Sequence, residues 1–479
     1  MVVGSGPGGL QTSYCLTRLG VRHAVISRDE GPGGMFRRFP VFQRLLSWTK
    51  PDAPAVPGTR EYEWYDHNSL LGDEPGHQAT VVPQMDRTFF VPSRPEMEAG
   101  LAAFAEQAGV QVRYGCTWEA TRRDDEGFTI VTSDGDYRCR AAVFALGVTE
   151  PWKSDIPGIE AVPHYAETRP ARDYQGKRVF VIGKRNSGFE LADGLEPWAR
   201  QVILGSPRPV STSVLAFSTV RARYMQPLED YQLGGGTLAL DAAIERIERT
   251  GDGFVVHAQG TTRPGAVEIE ADDVIAATGF STPLRDLPEI GVATVSQGRI
   301  PALTNFWESA TVPRLYFAGN ASQGAAGLRK HGLGSSSAAV YGFRYNARVL
   351  ARHLCGSCFD IRANRPPVDP AALVPYLLGE LTHAPELWAQ KSYLARVVAV
   401  EEGLLRDDGI LPLQHFVDEG AEGVAVAVEQ NPAGEIFPAV YLRTGGRLEE
   451  RLLPPENVND FEGEAYRAEL AAVVAPLLK

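Results

Sequence analysis

VVGSGPGGLQTSYCLTRLG, residues 2 to 20, is the stretch whose reading decides the fold. A short β-branched run leads into Gly4-x-Gly6-x-x-Gly9, and an amphipathic helical pattern follows. Gly4 suits a tight turn, Gly6 lets the backbone approach a pyrophosphate, and Gly9 lets strand and helix pack closely, so that phosphates meet the positive end of the helix. Such a glycine pattern alone is weak. The strand before it and the helix after it turn it into a dinucleotide-site expectation.

A second copy starts at KRVFVIGKRNSGFELADGL, residues 177 to 195. A β-rich run meets Gly183, and Ser187-Gly188 open a helix, but Arg185 stands where the middle glycine should be. A side chain there either swings away or lays its guanidinium over a phosphate. In the first copy the second strand, RHAVIS, ends in Ser27 where an acidic residue usually holds the ribose hydroxyls; Asp29 or Glu30 is placed to act from the next turn, or Ser27 itself bonds the ribose. In the second copy the matching strand, QVILGSPRP, ends near Ser206 and Arg208 with no acid at its tip. That favours a 2′-phosphate, hence NADPH over NADH; the plainer reading of Arg208 is an exposed loop charge.

Each copy carries a β-meander. TWEATRRDDEGFTIVTSDGDYRCRAAVFALG at 117 to 147 and AAIERIERTGDGFVVHAQGTTRPGAVEIEADDVIAATG at 242 to 279 both alternate strands with acidic, glycine-bearing turns and end in small residues before Gly147 or Gly279. The first is preceded by a helical stripe over 95 to 108 and a short strand, VRY. After Phe280 the strand VPRLYFAGN leads into a small-residue loop and a helix, with Gly319 and Asn320 expected beside the cofactor. Gly33 and Gly34 let backbone pass close to a flat ring, and the aromatic, non-periodic stretch from Phe42 to Leu71 reads as a long wrapping loop.

The 479 residues, 44% of them hydrophobic, suffice for two or three domains, and a net charge of -12 without a basic block argues against nucleic acid. No apolar run approaches the ~20 residues of a membrane helix and no charged-then-apolar leader precedes the first strand, so the expectation is a cytoplasmic protein. The 5 cysteines form no disulfide framework. CGSC at 355 to 358 is either a redox dithiol or the plain end of a helix, and the second reading is preferred. No metal cluster is visible. His164 and His331 lie near cofactor-lining motifs and read first as structural.

Together, the two nucleotide folds, the ALG and ATGF strand ends and YFAGN resemble the two-dinucleotide-domain flavoproteins, specifically the class B flavin-dependent monooxygenases. GKRNSGFELA resembles the GxxNSGxD signature of their flavin-containing and N-hydroxylating branches, and IPGIEAVPHYAET, with Pro157, Gly158 and His164, their FxGxxxH motif, with Ile156 for Phe. QRLLSWTK, DHNSLL and YGFRYNARVL also look like the endoplasmic-reticulum flavoprotein associated with degradation. The resemblance covers residues 1 to about 355. It implies FAD in the first fold, a nicotinamide cofactor in the second, and oxygenation through a flavin hydroperoxide.

The asparagine that flavin-containing monooxygenases hold near the flavin falls at Trp48 or Thr49 here, and Asn68 of the same loop is the other candidate to supply the amide. Asn68 and Thr49 are therefore the candidate catalytic residues, Asn68 also reading as a loop cap.

The expected fold is α/β: an FAD-binding domain of 1–155 and 285–360, an NADPH-binding domain of 156–284, and a small α+β appendage over 361–479. The appendage follows the proline-rich RANRPPVDP, with helices around 371 to 405, a hairpin turning at NPAGE and a last helix at 463 to 478. It caps the substrate cleft or forms a homodimer face. The favoured function is an FAD- and NADPH-dependent monooxygenase acting on a small metabolite, at nitrogen, with molecular oxygen and no membrane partner. A flavin dehydrogenase or thiol-disulfide reductase and a flavin-holding interaction protein are the competing readings.

Overall fold

The computed structural model describes residues 1–42, 44–210, 236–331, 335–456, 458 and 460–478. It divides into two compact units, one of residues 1–37, 47–148 and 282–479, the other of 38–46 and 149–281. Residues 149–155 fall in the second unit, and 282–284 and 361–479 in the first.

In the first unit the opening apolar run becomes the strand Val2–Val3. It lies inside a four-stranded parallel sheet ordered Leu315–Phe317, Ala142–Phe144, Val2–Val3, Val25–Ile26. Strands this short persist because both faces are covered, and Val2, Ile26, Phe144 and Phe317 are fully buried. The helix Pro7–Arg18 follows at once, with Gly6 as its N-cap and proline at its first turn, where a missing amide hydrogen costs nothing. The helix Arg94–Gln107 starts on a capping box between Ser93 and Glu96. The first meander is a separate antiparallel sheet of Trp118–Arg123, Phe128–Thr132 and Gly135–Cys139. VRY does not form the expected strand, since Arg113 makes only an isolated bridge to Ile26.

The second unit contains a six-stranded sheet in the order Ala266–Ala271, Phe254–Gly260, Thr237–Arg249, Gln201–Ser206, Arg178–Ile182, Asp273–Ala276. Its nucleotide fold and meander are fused through one long strand: residues 237–241 pair in parallel with Gln201–Ser206, and residues 242–249 pair antiparallel with Phe254–Gly260. The twofold α/β architecture expected from the sequence is present, each copy with its meander. Phe42, expected to open the wrapping loop of the first fold, belongs to the second unit, where its amide donates to Glu190 and its ring lies against Gly194.

The C-terminal stretch forms a five-stranded antiparallel sheet ordered Leu404–Pro412, Leu394–Glu401, Gly423–Gln430, Ile436–Thr444, Arg447–Leu452. The expected helical span over 371 to 405 is corrected: helices Leu373–His383 and Pro385–Ala389 give way to the strand Leu394–Glu401, whose β-branched LARVVAVE pairs on both sides. The hairpin turning at 431–435 is as expected. Among the described residues no helix is long and apolar enough to cross a membrane.

Candidate functional sites

The two nucleotide turns are built alike, atom against atom. Gly4 has φ +114°, and a Cβ there would lie 2.5 Å from the Ala145 carbonyl oxygen; Gly183 has φ +129°, and its Cβ would lie 2.5 Å from the Ala277 carbonyl oxygen. A Cβ on Gly9 would overlap the Gly4 carbonyl, and one on Gly188 the Gly183 carbonyl. Strand end and helix start therefore touch backbone to backbone in both copies. Gly6 is different. It is extended, with φ -73° and ψ 178°, and a Cβ on it would meet nothing nearer than the Gly34 Cα at 3.7 Å. The protein's own packing leaves room for a side chain there, and Arg185, at the matching position of the second turn, carries one, exposed, in an extended N-cap conformation. Gly34 in turn must be small, its Cβ falling 2.8 Å from the Gly6 Cα, and Gly319 backs onto Gly8 at 3.3 Å. Gly4, Gly6, Gly9, Gly34 and Gly319 thus converge in the first unit, with the Gly8 and Gly9 amides at the helix start. That is a cradle for an anionic diphosphate.

At the edge of the first turn, Ser5 Oγ donates to Ser27 Oγ at 2.8 Å, and the Asp29 amide donates to the same Ser27 oxygen at 3.2 Å. Ser27 is buried and Asp29 half-buried. In the second turn Ser187 is half-buried in the first helical turn, and Arg208 is exposed beyond the strand tip. Gly279 holds its neighbourhood through its carbonyl, which accepts from His164 Nε2 at 2.8 Å. His164 Nδ1 accepts from the Ala166 amide, so both ring nitrogens are committed and burial lowers its pKa below the ordinary histidine value. His164 is structural here. Sequence reasoning missed the ion pair of Lys184 with Asp241, whose signal was the lysine directly after Gly183.

The two loop candidates come together. Thr49 Oγ1 donates to Asp66 Oδ1 at 2.8 Å, while the Asn68 side-chain amide donates to Thr49 Oγ1 at 3.0 Å and to the Ser47 carbonyl at 2.9 Å. Asp66 Oδ1 also accepts the Asn68 and Ser69 amides, which makes a tight polar knot that is at most 3% exposed. Arg344, on the helix Val340–Phe359, clamps the same loop: Nη1 donates to the Asp66 and Ser69 carbonyls at 2.7 and 2.8 Å, and Nη2 to the Glu63 carbonyl and the Tyr345 hydroxyl. Burial opposes its charge, but Tyr345, Glu63 and Asp66 outweigh it and keep its pKa above the ordinary arginine value. Only the folded arrangement reveals this role.

Gly319 and Asn320 begin a 3-10 turn over Gly319–Gly324, and Asn320 Oδ1 accepts from Gln323. The segment after it is gripped by the C-terminal sheet. Leu328 packs on that sheet's core, Lys330 and His331 pair with Glu450, and Gln390 bonds Ser337 and Asn346. Arg60 of the wrapping loop pairs with Glu380 at 2.7 Å and Glu386 at 2.9 Å.

Cys355 and Cys358 lie in the last turns of Val340–Phe359 as free thiols, at the negative end of the helix, and burial pushes the Cys355 thiol up. A redox dithiol needs the opposite electrostatics. If the thiols merely finish the helix, a Cys355→Ser, Cys358→Ser double variant keeps NADPH oxidation within about twofold of the parent; a collapse of that rate reinstates the dithiol.

Two glycine turns of matching geometry, each between a parallel strand and a helix, define a chain with two dinucleotide-binding folds. The chain belongs to the pyridine nucleotide-disulphide oxidoreductase family, whose model matches residues 1–319. It is similar to the FAD-dependent oxidoreductase domain-containing protein 2 of Danio rerio, 26% identical over 74% of this chain and 58% of that protein, and to that of Mus musculus, 25% identical over 84% and 64%. The chain therefore spans about three fifths of the length of these relatives. Over 202 residues, 40% of the chain and 43% of the relative, it is 28% identical to the indole-3-pyruvate monooxygenase YUCCA1 of Oryza sativa subsp. japonica. The fold is shared with the flavin-containing monooxygenase from Stenotrophomonas maltophilia, at TM-score 0.55 and 21% identity over 74% of this chain and 98% of that one. It is shared equally with the bacillithiol disulfide reductase from Bacillus cereus, at 0.55 and 19% over 74% and 98%. The matched family is one of oxidoreductases, and the YUCCA relatives are monooxygenases by name.

Proposed function

We propose that the protein is an FAD- and NADPH-dependent monooxygenase that transfers oxygen to a nitrogen of a small metabolite, with FAD on the first nucleotide fold and NADPH on the second. The observation that carries this reading is the contrast between the two turns. The first leaves the position at Gly6 free of a side chain, whereas the second places Arg185 there, exposed and able to swing aside or lay its guanidinium over a phosphate, and adds Arg208 beyond the strand tip, a cation suited to the 2′-phosphate of NADPH. The cradle fits the cofactor: among the described residues, the nearest atom to a Cβ on Gly6 would be the Gly34 Cα at 3.7 Å.

When bound, the two cofactors supply hydride transfer and oxygen activation. The chain's residues bind, orient and exclude water. The Gly8 and Gly9 amides would face the pyrophosphate charge, Ser5 and Ser27 would lie at the ribose edge, and Gly34 and Gly319, packed on Gly6 and Gly8, would complete the diphosphate cradle. The Thr49, Asp66, Asn68 knot is buried within the wrapping loop, so that Asn68 and Thr49 would act by holding that loop in place. The YUCCA relatives, monooxygenases by name, and the position of the thiols favour this reading over a disulfide reductase.

The test is NADPH oxidation followed with an oxygen electrode over a panel of amines, in air and in nitrogen. Substrate-dependent oxygen uptake, with one atom from labelled oxygen in the product, supports the proposal; oxygen-independent turnover overturns it. Asn68→Ala and Thr49→Ala, each losing a contact worth ~1–3 kcal/mol, are expected to release more hydrogen peroxide per NADPH consumed. Unchanged coupling in both variants removes the loop from the chemistry.

A further inference from the structure

In both nucleotide turns the residue after the first glycine reaches across the sheet, in the first unit to the end of the adjacent strand and in the second past the adjacent strand to the one beyond it. In the first unit it is Ser5, which bonds Ser27 directly after Val25–Ile26. In the second it is Lys184, whose Nζ pairs with Asp241 Oδ1. Asp241 belongs to the strand Thr237–Arg249 and stands in register with Ser206, the last residue of Gln201–Ser206. So the strand tip that lacks an acid in the sequence acquires one from the strand beside it. An acid at this tip is the group that accepts the hydroxyls of an unphosphorylated adenosine ribose and repels a 2′-phosphate.

That carboxylate is already taken. The Lys184 side chain is 1% exposed and holds Oδ1, while Thr262 Oγ1 donates to Oδ2 at 2.8 Å. The Asp241 side chain remains 26% exposed, so the pair sits at the rim of the turn. A buried ammonium keeps its charge only with such a partner, which makes the pairing persistent.

We infer that Asp241 is the ribose-reading acid of the second fold and that Lys184, with Thr262, occupies and neutralises it, so that the pair sets the preference for a 2′-phosphorylated nucleotide. The inference rests on the assignment of a nicotinamide nucleotide to the second fold. Arg208 adds attraction for the phosphate. Lys184 removes the competing attraction for the bare diol and the repulsion of the phosphate, which is discrimination by a blocked alternative.

The experiment uses the FAD-loaded full chain and calorimetric titration with adenosine 2′,5′-bisphosphate and with 5′-AMP, so the readout is binding and not turnover. The parent is expected to favour the bisphosphate. Lys184→Met should free Asp241, tightening 5′-AMP and weakening the bisphosphate, so that the affinity ratio falls about tenfold, whereas Lys184→Arg retains the parent ratio. Thr262→Val, at an exposed loop position, should move the ratio the same way by about threefold without threatening the fold. Parent-like ratios in Lys184→Met and Thr262→Val overturn the role of the pair while leaving the nucleotide site standing. A parent that binds neither probe overturns the nucleotide assignment itself, and this inference with it.

Discussion

Gly6→Val is expected to give a folded protein without flavin. The backbone at Gly6 is extended, a conformation valine adopts readily, and a Cβ there sits 3.7 Å from the Gly34 Cα, an ordinary contact. Among the described residues, none crowds a Cβ at position 6, and the second turn places Arg185 at the matching position. Only a ligand backed against the helix start needs glycine there. Methyl groups in that space should weaken FAD at least about a hundredfold, or ~2.8 kcal/mol, so the purified variant is colourless while its far-ultraviolet dichroism and melting match those of the flavin-stripped parent. Gly9→Val is the contrast, because its Cβ overlaps the Gly4 carbonyl and strand and helix must part; it should not fold at all. A yellow Gly6→Val protein with stoichiometric flavin would sink the assignment of the first fold.

This contrast also shows what a sequence can and cannot carry. Gly4, Gly9, Gly183 and Gly188 were legible because backbone contacts within one strand-turn-helix unit demand glycine at fixed spacing, and the repeat declares itself twice. The meanders were legible for the same reason: their alternation and turns are local. The strand Leu394–Glu401 was not, because its type is decided by the two strands that flank it and not by the helices that precede it in the chain. Asp241 escaped because an acid at the tip of Gln201–Ser206 was sought in that strand itself, whereas parallel register delivers it from residue 241. Asn68 and Thr49 were singled out as separate alternatives, and the fold ties them into one knot through Asp66, which opens the DHNSLL segment but was given no role there. Gln390 reaches Ser337 and Asn346 over 53 and 44 residues of sequence, a separation no local pattern spans.

Arg344→Met should then be the most damaging single change outside the glycine turns. Its guanidinium is the shared donor for the Asp66, Ser69 and Glu63 carbonyls and the Tyr345 hydroxyl, and the residue is 2% exposed. Methionine fills the volume of the stem but leaves these acceptors without a donor, and each buried orphan costs ~1–3 kcal/mol, less when several relax together. Glu63, raised by burial and drawn back by Arg344, also loses its compensating charge. The expected loss is ~3–5 kcal/mol, concentrated in residues 61–69, so urea unfolding shifts and limited proteolysis begins to cut within the wrapping loop. Arg344→Lys keeps the charge but offers a point donor in place of a planar fork, and should recover only part of the loss. Arg348, one turn further along the same helix and paired with Asp73 near the surface, is the matched control, with Arg348→Ala costing ~1 kcal/mol or less. Should Arg344→Met unfold at the parent's urea midpoint and resist protease like Arg348→Ala, the loop is held by its own Thr49, Asp66, Asn68 knot, and the arginine is a passenger.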